Sequence, residues 1–241
     1  MSHEHDIVLL PLSGDLCVRS APALRDTLDG FLQKGSRRIV INMADVRYVD
    51  SAGMSVLIAT TRRMRERGGL LSLVNVTPDV LRTLKISRIV DLIPVSAADA
   101  HCEVQALDPS VQPLWRTTIP VNAEDLHGVR ARIEQLAQRL SFTCDDVFDL
   151  TLAAGEAMGN AVDHTCGTGV LTTVSAYPDR MVVEVTDCGE GYAIAEGDDP
   201  CLTMDCERGR GIKLMRLLVD EVTIEERKGA TGTVVRLTKL L

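Results

Sequence analysis

Glu156, Asn160 and His164 follow one another at four-residue steps in the stretch TLAAGEAMGNAVDHT, residues 151–165. Side chains at that spacing stack on one side of an α-helix. The stretch favours a helix, because Ala, Met and Leu outnumber its glycines. Val147, Leu150, Ala154, Ala157 and Ala161 recur at three- and four-residue steps and mark the core stripe beside that row. One helix thus carries a carboxylate, an amide and an imidazole in line. A merely solvated polar face would look the same on this helix alone, and the rest of the chain has to decide between the two readings.

Three further groups lie downstream. The apolar run Met181–Asp187 ends in DCGEG, with Asp187, Gly189 and Gly191 alternating. A carboxylate at a strand end can accept an amine proton, and the glycines let the backbone turn tightly past a ligand. RGRG, Arg208–Gly211, stands directly before a predicted helix. Glycines at a helix start expose backbone N–H groups to an anion such as a phosphate. Gly232-Thr233 closes the series. A lone GxG says little; four groups in one order are far more specific.

The elements that must position these groups can be read in chain order. Ile7–Pro11 is a short strand, and LSGDL (Leu12–Leu16) is predicted as a turn between two strands. Ser20–Lys34 has helical spacing at Leu24, Leu28 and Leu32, with Ser20 as N-cap and Gly35 beyond its end. Arg38–Met43 reads as a buried strand, Ser51–Arg67 as a helix, Leu70–Val76 as a strand, Asp79–Lys85 as a short helix and Ala97–Ala106 as a last helix. That alternation predicts an α/β domain over 1–106. Pro109 and Pro113 mark a linker, 107–114. A second domain, 115–241, follows. It comprises strand Arg116–Val121, helices Glu124–Leu140 and Asp145–Thr165, hairpin strands Val170–Tyr177 and Met181–Asp187, and a polar Gly-rich stretch. A helix Gly211–Leu218 and a last hairpin, Asp220–Glu226 with Thr231–Thr238, complete it. This order predicts an α/β sandwich, one mixed sheet with helices on one face.

Composition narrows the partners. The 241 residues are 45% hydrophobic, as in ordinary globular protein. No apolar run approaches the roughly 18 residues of a membrane span, and MSHEHD does not resemble a secretion signal, so a cytoplasmic protein is expected. The seven cysteines show no CxxC pair, which disfavours zinc and a disulfide framework. Cys188, Cys201 and Cys206 fall near the Gly-rich stretch without a role read for them. Net charge is −8: residues 1–108 hold 13 basic and 13 acidic side chains, residues 109–241 hold 13 and 21. An acidic C-terminal half argues against nucleic acid as a partner.

Residues 115–241 resemble the histidine-kinase-like (GHKL, Bergerat-fold) ATPase domain, and more closely the anti-sigma-factor serine kinases of bacterial partner-switching systems. Glu156, Asn160, Ala161 and His164 match the E-x-x-x-N-A-x-x-H box, Asp187, Gly189 and Gly191 the D-x-G-x-G box, and Gly209 and Gly211 the G-x-G box. The resemblance implies ATP and Mg2+ as cofactors. It implies Asn160 as magnesium ligand, Glu156 as general base on an acceptor hydroxyl, Asp187 as acceptor of the adenine amino group and Thr233 near the adenine. Arg208 and Arg210 are the cations at hand for the phosphates. Cys188 departs from the small or polar residue usual at its place, and the lid Tyr192–Glu207 is acidic. Nothing supplies the dimerisation helix pair of the histidine-phosphorylating relatives.

The N-terminal half resembles STAS domains, the anti-sigma-factor antagonists. LSGDL resembles their G-E-L-D-like turn, and DSAGMSVLIA, Asp50–Ala59, their D-S-x-G acceptor loop. A Ser at a helix start is also a good N-cap and needs no other purpose. The resemblance makes Ser51 the phosphoacceptor. Phosphate there would add about −1.5 to −2 charges, which a helix N-terminus tolerates. The whole chain then reads as an ATP-dependent protein serine kinase and regulator fused to a switch substrate. The expected partners are a sigma factor or a STAS antagonist, a PP2C-type phosphatase, and a second copy through the C-terminal domain; no nucleic acid and no membrane are expected. The competing class is a nucleotide-binding scaffold without catalysis, for which Glu156 would be superfluous.

Overall fold

In the N-terminal part, runs of Ile, Val and Leu with little polar interruption suit strands covered on both faces. Such runs form the buried β2 (Arg38–Asn42) and β3 (Leu70–Val76), flanked by the half-buried β1 (Ile7–Pro11) and the short β4 (Val95–Ala97). The computed structural model describes residues 7–97, 104–108, 110–165, 169–189, 207–227 and 229–241, the side chains of 207–210 excepted. It divides into two compact units, 1–101 and 102–241.

In the first unit the strand order is β1-β2-β3-β4, all parallel. Between the strands run α1 (Ala21–Gln33), α2 (Ser51–Glu66) and α3 (Pro78–Ile86). Leu24, Leu28 and Leu32 of α1 and Val56, Leu57 and Met64 of α2 join Ile39, Ile41, Leu71 and Leu73 in one core. Three expectations change. LSGDL does turn, at Gly14 with φ 119°, but the chain beyond it forms a single bridge, Leu16 with Val49, instead of a second strand. Of the predicted helix 97–106, the described residues are not helical: Ala97 ends β4 beside Val76 and 104–106 are irregular, while 98–103 lie outside the described residues. Val95 and Ala97 are half-buried about an exposed Ser96, the two-residue period of an edge strand. Ser20 precedes α1 but does not cap it. Its hydroxyl accepts from Cys17 N–H at 2.9 Å and donates to the Asp15 carbonyl at 2.8 Å, bracing the preceding turn.

Among the described residues the second unit has five strands: β5 (Trp115–Val121), β6 (Val170–Ala176), β7 (Arg180–Thr186), β8 (Glu221–Glu226) and β9 (Thr233–Leu240). Their order is β5-β6-β7-β9-β8, and every described ladder is antiparallel, where a mixed sheet was expected. The connections explain it. Two helices, α4 (Leu126–Ala137) and α5 (Cys144–His164), link β5 to β6; two passes return the chain to the end it left, so β6 runs back along β5. One helix, α6 (Glu207–Leu218), leads to β8, which runs in the direction of β7, but β9 is inserted between them.

Helix α5 is the axis of this unit, packed against α4, α6, β6, β7 and β9. Its start is locked by a capping box. Thr143 Oγ1 accepts from Asp146 N–H at 3.1 Å, and the Asp146 carboxylate accepts from Thr143 N–H at 3.3 Å. Lys239 of β9 adds an ion pair to Asp146 at 3.1 Å. Val147, Leu150, Ala154, Ala157 and Ala161 are buried as their spacing predicts.

Candidate nucleotide and phosphoacceptor sites

Glu156 and Asn160 sit half-buried on successive turns of α5. Opposite them is Gly211, buried in α6. A Cβ built on Gly211 would lie 2.6 Å from Glu156 Oε1 and 3.1 Å from Asn160 Nδ2. Such distances are below ordinary van der Waals contact, so with any other residue the Glu156 side chain would have to move aside for α6 to pass this close. The first and third sequence groups, some fifty residues apart, are therefore in direct contact. The helix predicted over Gly211–Leu218 starts earlier: α6 begins at Glu207, and Arg208–Gly211 lie in its first turns. There the glycine serves close packing of two helices, since only the first four N–H groups of a helix lack an intrahelical partner. The side chains of Arg208 and Arg210, and all of Gly191 and residues 192–206 of the predicted lid with Cys201 and Cys206, lie outside the described residues. Gly209 is part of the α6 backbone.

Asp187 follows β7 and is buried, with 8% exposure. Its Oδ1 accepts from Gly189 N–H at 2.8 Å and from Thr233 N–H at 3.0 Å, and its own N–H donates to the Thr233 carbonyl at 3.0 Å. With Oδ1 occupied, Oδ2 is the acceptor left for an incoming N–H group. Gly232 makes the approach of β9 possible: its φ is 129°, and a Cβ there would collide with the Asp187 carbonyl oxygen. Gly189 lies against the end of α5, its Cβ position 3.4 Å from the His164 carbonyl and 3.6 Å from Thr165 Cγ2. His164 itself is exposed. The second group thus meets the C-terminal end of the helix that carries the first.

No group of three or more His, Cys, Asp or Glu side chains that could hold a metal occurs among the described residues. The donor chemistry still suits magnesium, which keeps waters and substrate phosphate oxygens and needs only one or two protein oxygens. Asn160, half-buried on α5, carries the one amide among the three polar residues of that row.

Ser51 opens α2 and is exposed. It is not the N-cap. Asp50 is, its Oδ1 accepting from Ala52 N–H and Gly53 N–H, each at 2.9 Å, while Oδ2 accepts from Val18 N–H at 2.9 Å. The Gly53 N–H, with those of Val18 and Ala52, holds the Asp50 carboxyl below the usual carboxylate range. Gly53 is also needed as glycine, since its Cβ would lie 2.7 Å from the Leu16 carbonyl oxygen. Capping therefore gives Ser51 no purpose, and among the described residues its hydroxyl makes no hydrogen bond. In the sequence Asp50 stands as the first residue of the acceptor-loop pattern, with no capping role assigned to it. The signal was present, because Asp ranks with Ser as an N-cap.

The histidine kinase-like ATPase domain family matches residues 119–239, and the STAS domain family matches residues 1–100. A serine-protein kinase RsbW of Halalkalibacterium halodurans is 33% identical over 135 residues, covering 52% of this chain and 81% of that protein. The serine-protein kinase RsbW of Bacillus subtilis is 31% identical over 135 residues, covering 51% of this chain and 82% of its own. An anti-sigma-B factor antagonist of the same Bacillus subtilis strain is 34% identical over 95 residues, covering 39% of this chain and 85% of that protein. The two halves of one chain are similar to two separate proteins of one organism.

Proposed function

This chain belongs to the histidine kinase-like ATPase domain family and carries a STAS domain ahead of that domain, and from this we propose that it is an ATP-dependent protein serine kinase of a partner-switching pathway. The observation that carries the reading is the contact at Gly211, where Glu156 and Asn160 meet the start of α6 within one helix layer that also abuts the Asp187 loop. A binding module needs the acceptor at Asp187; only transfer needs a carboxylate at Glu156.

In this reading Asp187 Oδ2 accepts from the adenine amino group, beside Thr233 and the Gly189–Gly191 turn. Asn160 holds Mg2+, with Arg208, Gly209, Arg210 and Gly211 at the phosphates. Bound magnesium supplies charge neutralisation between the phosphates. Glu156 takes the proton of the acceptor hydroxyl as the new O–P bond forms and the bond from the γ-phosphorus to the ADP oxygen breaks. The acceptor is Ser51, of this chain or of a second copy. Residues 1–106 act as antagonist domain, 107–114 as linker and 115–241 as kinase domain. The partners are a sigma factor or a separate STAS antagonist, a PP2C-type phosphatase that reverses the reaction, and a second copy of the C-terminal domain. No described helix is long and apolar enough to cross a membrane; the location proposed is cytoplasmic.

Incubation of the full chain with labelled Mg-ATP, alone and with a separate STAS protein, tests this. Label on a serine of either protein is the expected result. ATP binding without any label would overturn the kinase and leave a nucleotide-binding scaffold.

A further inference from the structure

Cys188 stands between Asp187 and Gly189 and takes no part in the chemistry proposed above, yet three connecting segments meet on its sulfur. Sγ donates to the Gly169 carbonyl at 3.4 Å, in the loop that leaves α5. It accepts from Arg227 Nη1 at 3.3 Å, in the β8–β9 turn. Gly169 has φ 78°, and a Cβ there would lie 3.2 Å from Sγ, so this loop is already pressed on the sulfur. Arg227 N–H in turn bonds the Gly232 carbonyl at 2.9 Å and closes the turn that presents Gly232 and Thr233. Thr233 N–H and Gly189 N–H are the two donors on Asp187 Oδ1. The sulfur therefore links the backbone segments that decide where Asp187 Oδ2 points.

We propose that Cys188 is a positioning residue for adenine recognition, acting through Asp187 by tying the α5–β6 loop and the β8–β9 turn to the strand-end loop. The inference rests on the reading of Asp187 as the adenine acceptor. A thiol is a weak donor and weak acceptor, but the guanidinium makes one of the two bonds charge-assisted. The hub is also exposed at Cys188, so no core packing depends on this side chain.

The test uses the full chain and two ligands, Mg-ATP and inorganic triphosphate, which lacks the base. Cys188→Ala removes donor and acceptor and should weaken ATP about 3- to 10-fold, the worth of a hydrogen bond. Triphosphate affinity and the transfer rate at saturating ATP should stay unchanged. Cys188→Ser keeps both capacities and should restore most of the ATP affinity. Arg227→Ala should weaken ATP similarly, and the double variant with Cys188→Ala should cost less than the two losses multiplied. Wild type that prefers ATP, with Cys188→Ala unchanged, would overturn this inference alone. So would equal losses for ATP and triphosphate, or a serine variant that loses ATP and melting temperature as far as alanine. Wild type that binds triphosphate and ATP alike would overturn the reading of Asp187 as well.

Discussion

Gly211 and Glu156 touch: any Cβ on Gly211 would stand 2.6 Å from Glu156 Oε1. The obstructed atom is the far end of a flexible side chain, so the fold can give way where the chemistry cannot. Gly211→Ala should leave thermal stability nearly unchanged, because alanine also gains roughly 1 kcal/mol of helix propensity over glycine. Phosphoryl transfer should fall about 100-fold, the usual result of displacing a reacting group by an ångström. Melting and single-turnover labelling, measured on the same preparation, check the two halves of this expectation.

Glu156→Gln keeps the shape of the side chain and removes its proton affinity. Mg-ATP should bind nearly as in wild type, while transfer slows roughly 10²- to 10⁴-fold, the worth of a general base. Calorimetry gives the first quantity and labelling the second. An unchanged rate would assign the proton to another acceptor.

Asp187→Asn can still receive Gly189 N–H and Thr233 N–H on its amide oxygen, and then presents an NH2 where Oδ2 stood. Donor would face donor. ATP affinity should drop about 10- to 100-fold, as for loss of a hydrogen bond to a charged group, with triphosphate affinity unaffected. Titration of both ligands reads the difference.

Ser51 and Asp50 separate modification from stability. Ser51→Ala should abolish labelling of the N-terminal unit and leave its melting unchanged, since Ser51 is exposed and does not cap α2. Asp50→Ala should cost about 1 kcal/mol of stability through the lost cap. Peptide mass spectrometry after incubation with Mg-ATP locates the phosphate; a serine elsewhere would move the acceptor.

Asp146 ties the start of α5 to β9. Its burial pushes the carboxyl up, but the Thr143 hydroxyl and the Lys239 ammonium outweigh that and hold it below the ordinary value. A depressed folded value means stability that is present above the unfolded carboxylate's value of about 4 and is lost as the pH falls through the lower folded value. Lys239→Met should lose stability at neutral pH and flatten this acid limb. Urea titrations between pH 3 and 7 would show it; parallel curves for the two proteins would contradict it.

The amino-acid order alone determined a large part of this protein. The periodicity of Leu24, Leu28 and Leu32, the apolar runs at Arg38–Asn42 and Leu70–Val76 and the small-residue stripe of α5 are local signals, and each produced the element predicted. The sequence groups suggested a chemistry, because an amide, a carboxylate and glycines at fixed spacing act through local geometry. Where the outcome hung on contacts between distant segments, only the tertiary structure decided. Val95–Ala97 paired with β3, and Ala97, the first residue of the predicted helix, became the last of that strand, since an open sheet edge was available to it. The second sheet became antiparallel throughout because β9 entered between β7 and β8. Ser51 lost the capping role to Asp50, whose carboxylate also reaches Val18 some thirty residues away. Gly211 proved to be a packing glycine because another helix lies against it, and Cys188 acquired partners in Gly169 and Arg227 that no spacing reveals. A sequence states which groups a segment can offer; which of them find a partner depends on where the rest of the chain comes to lie.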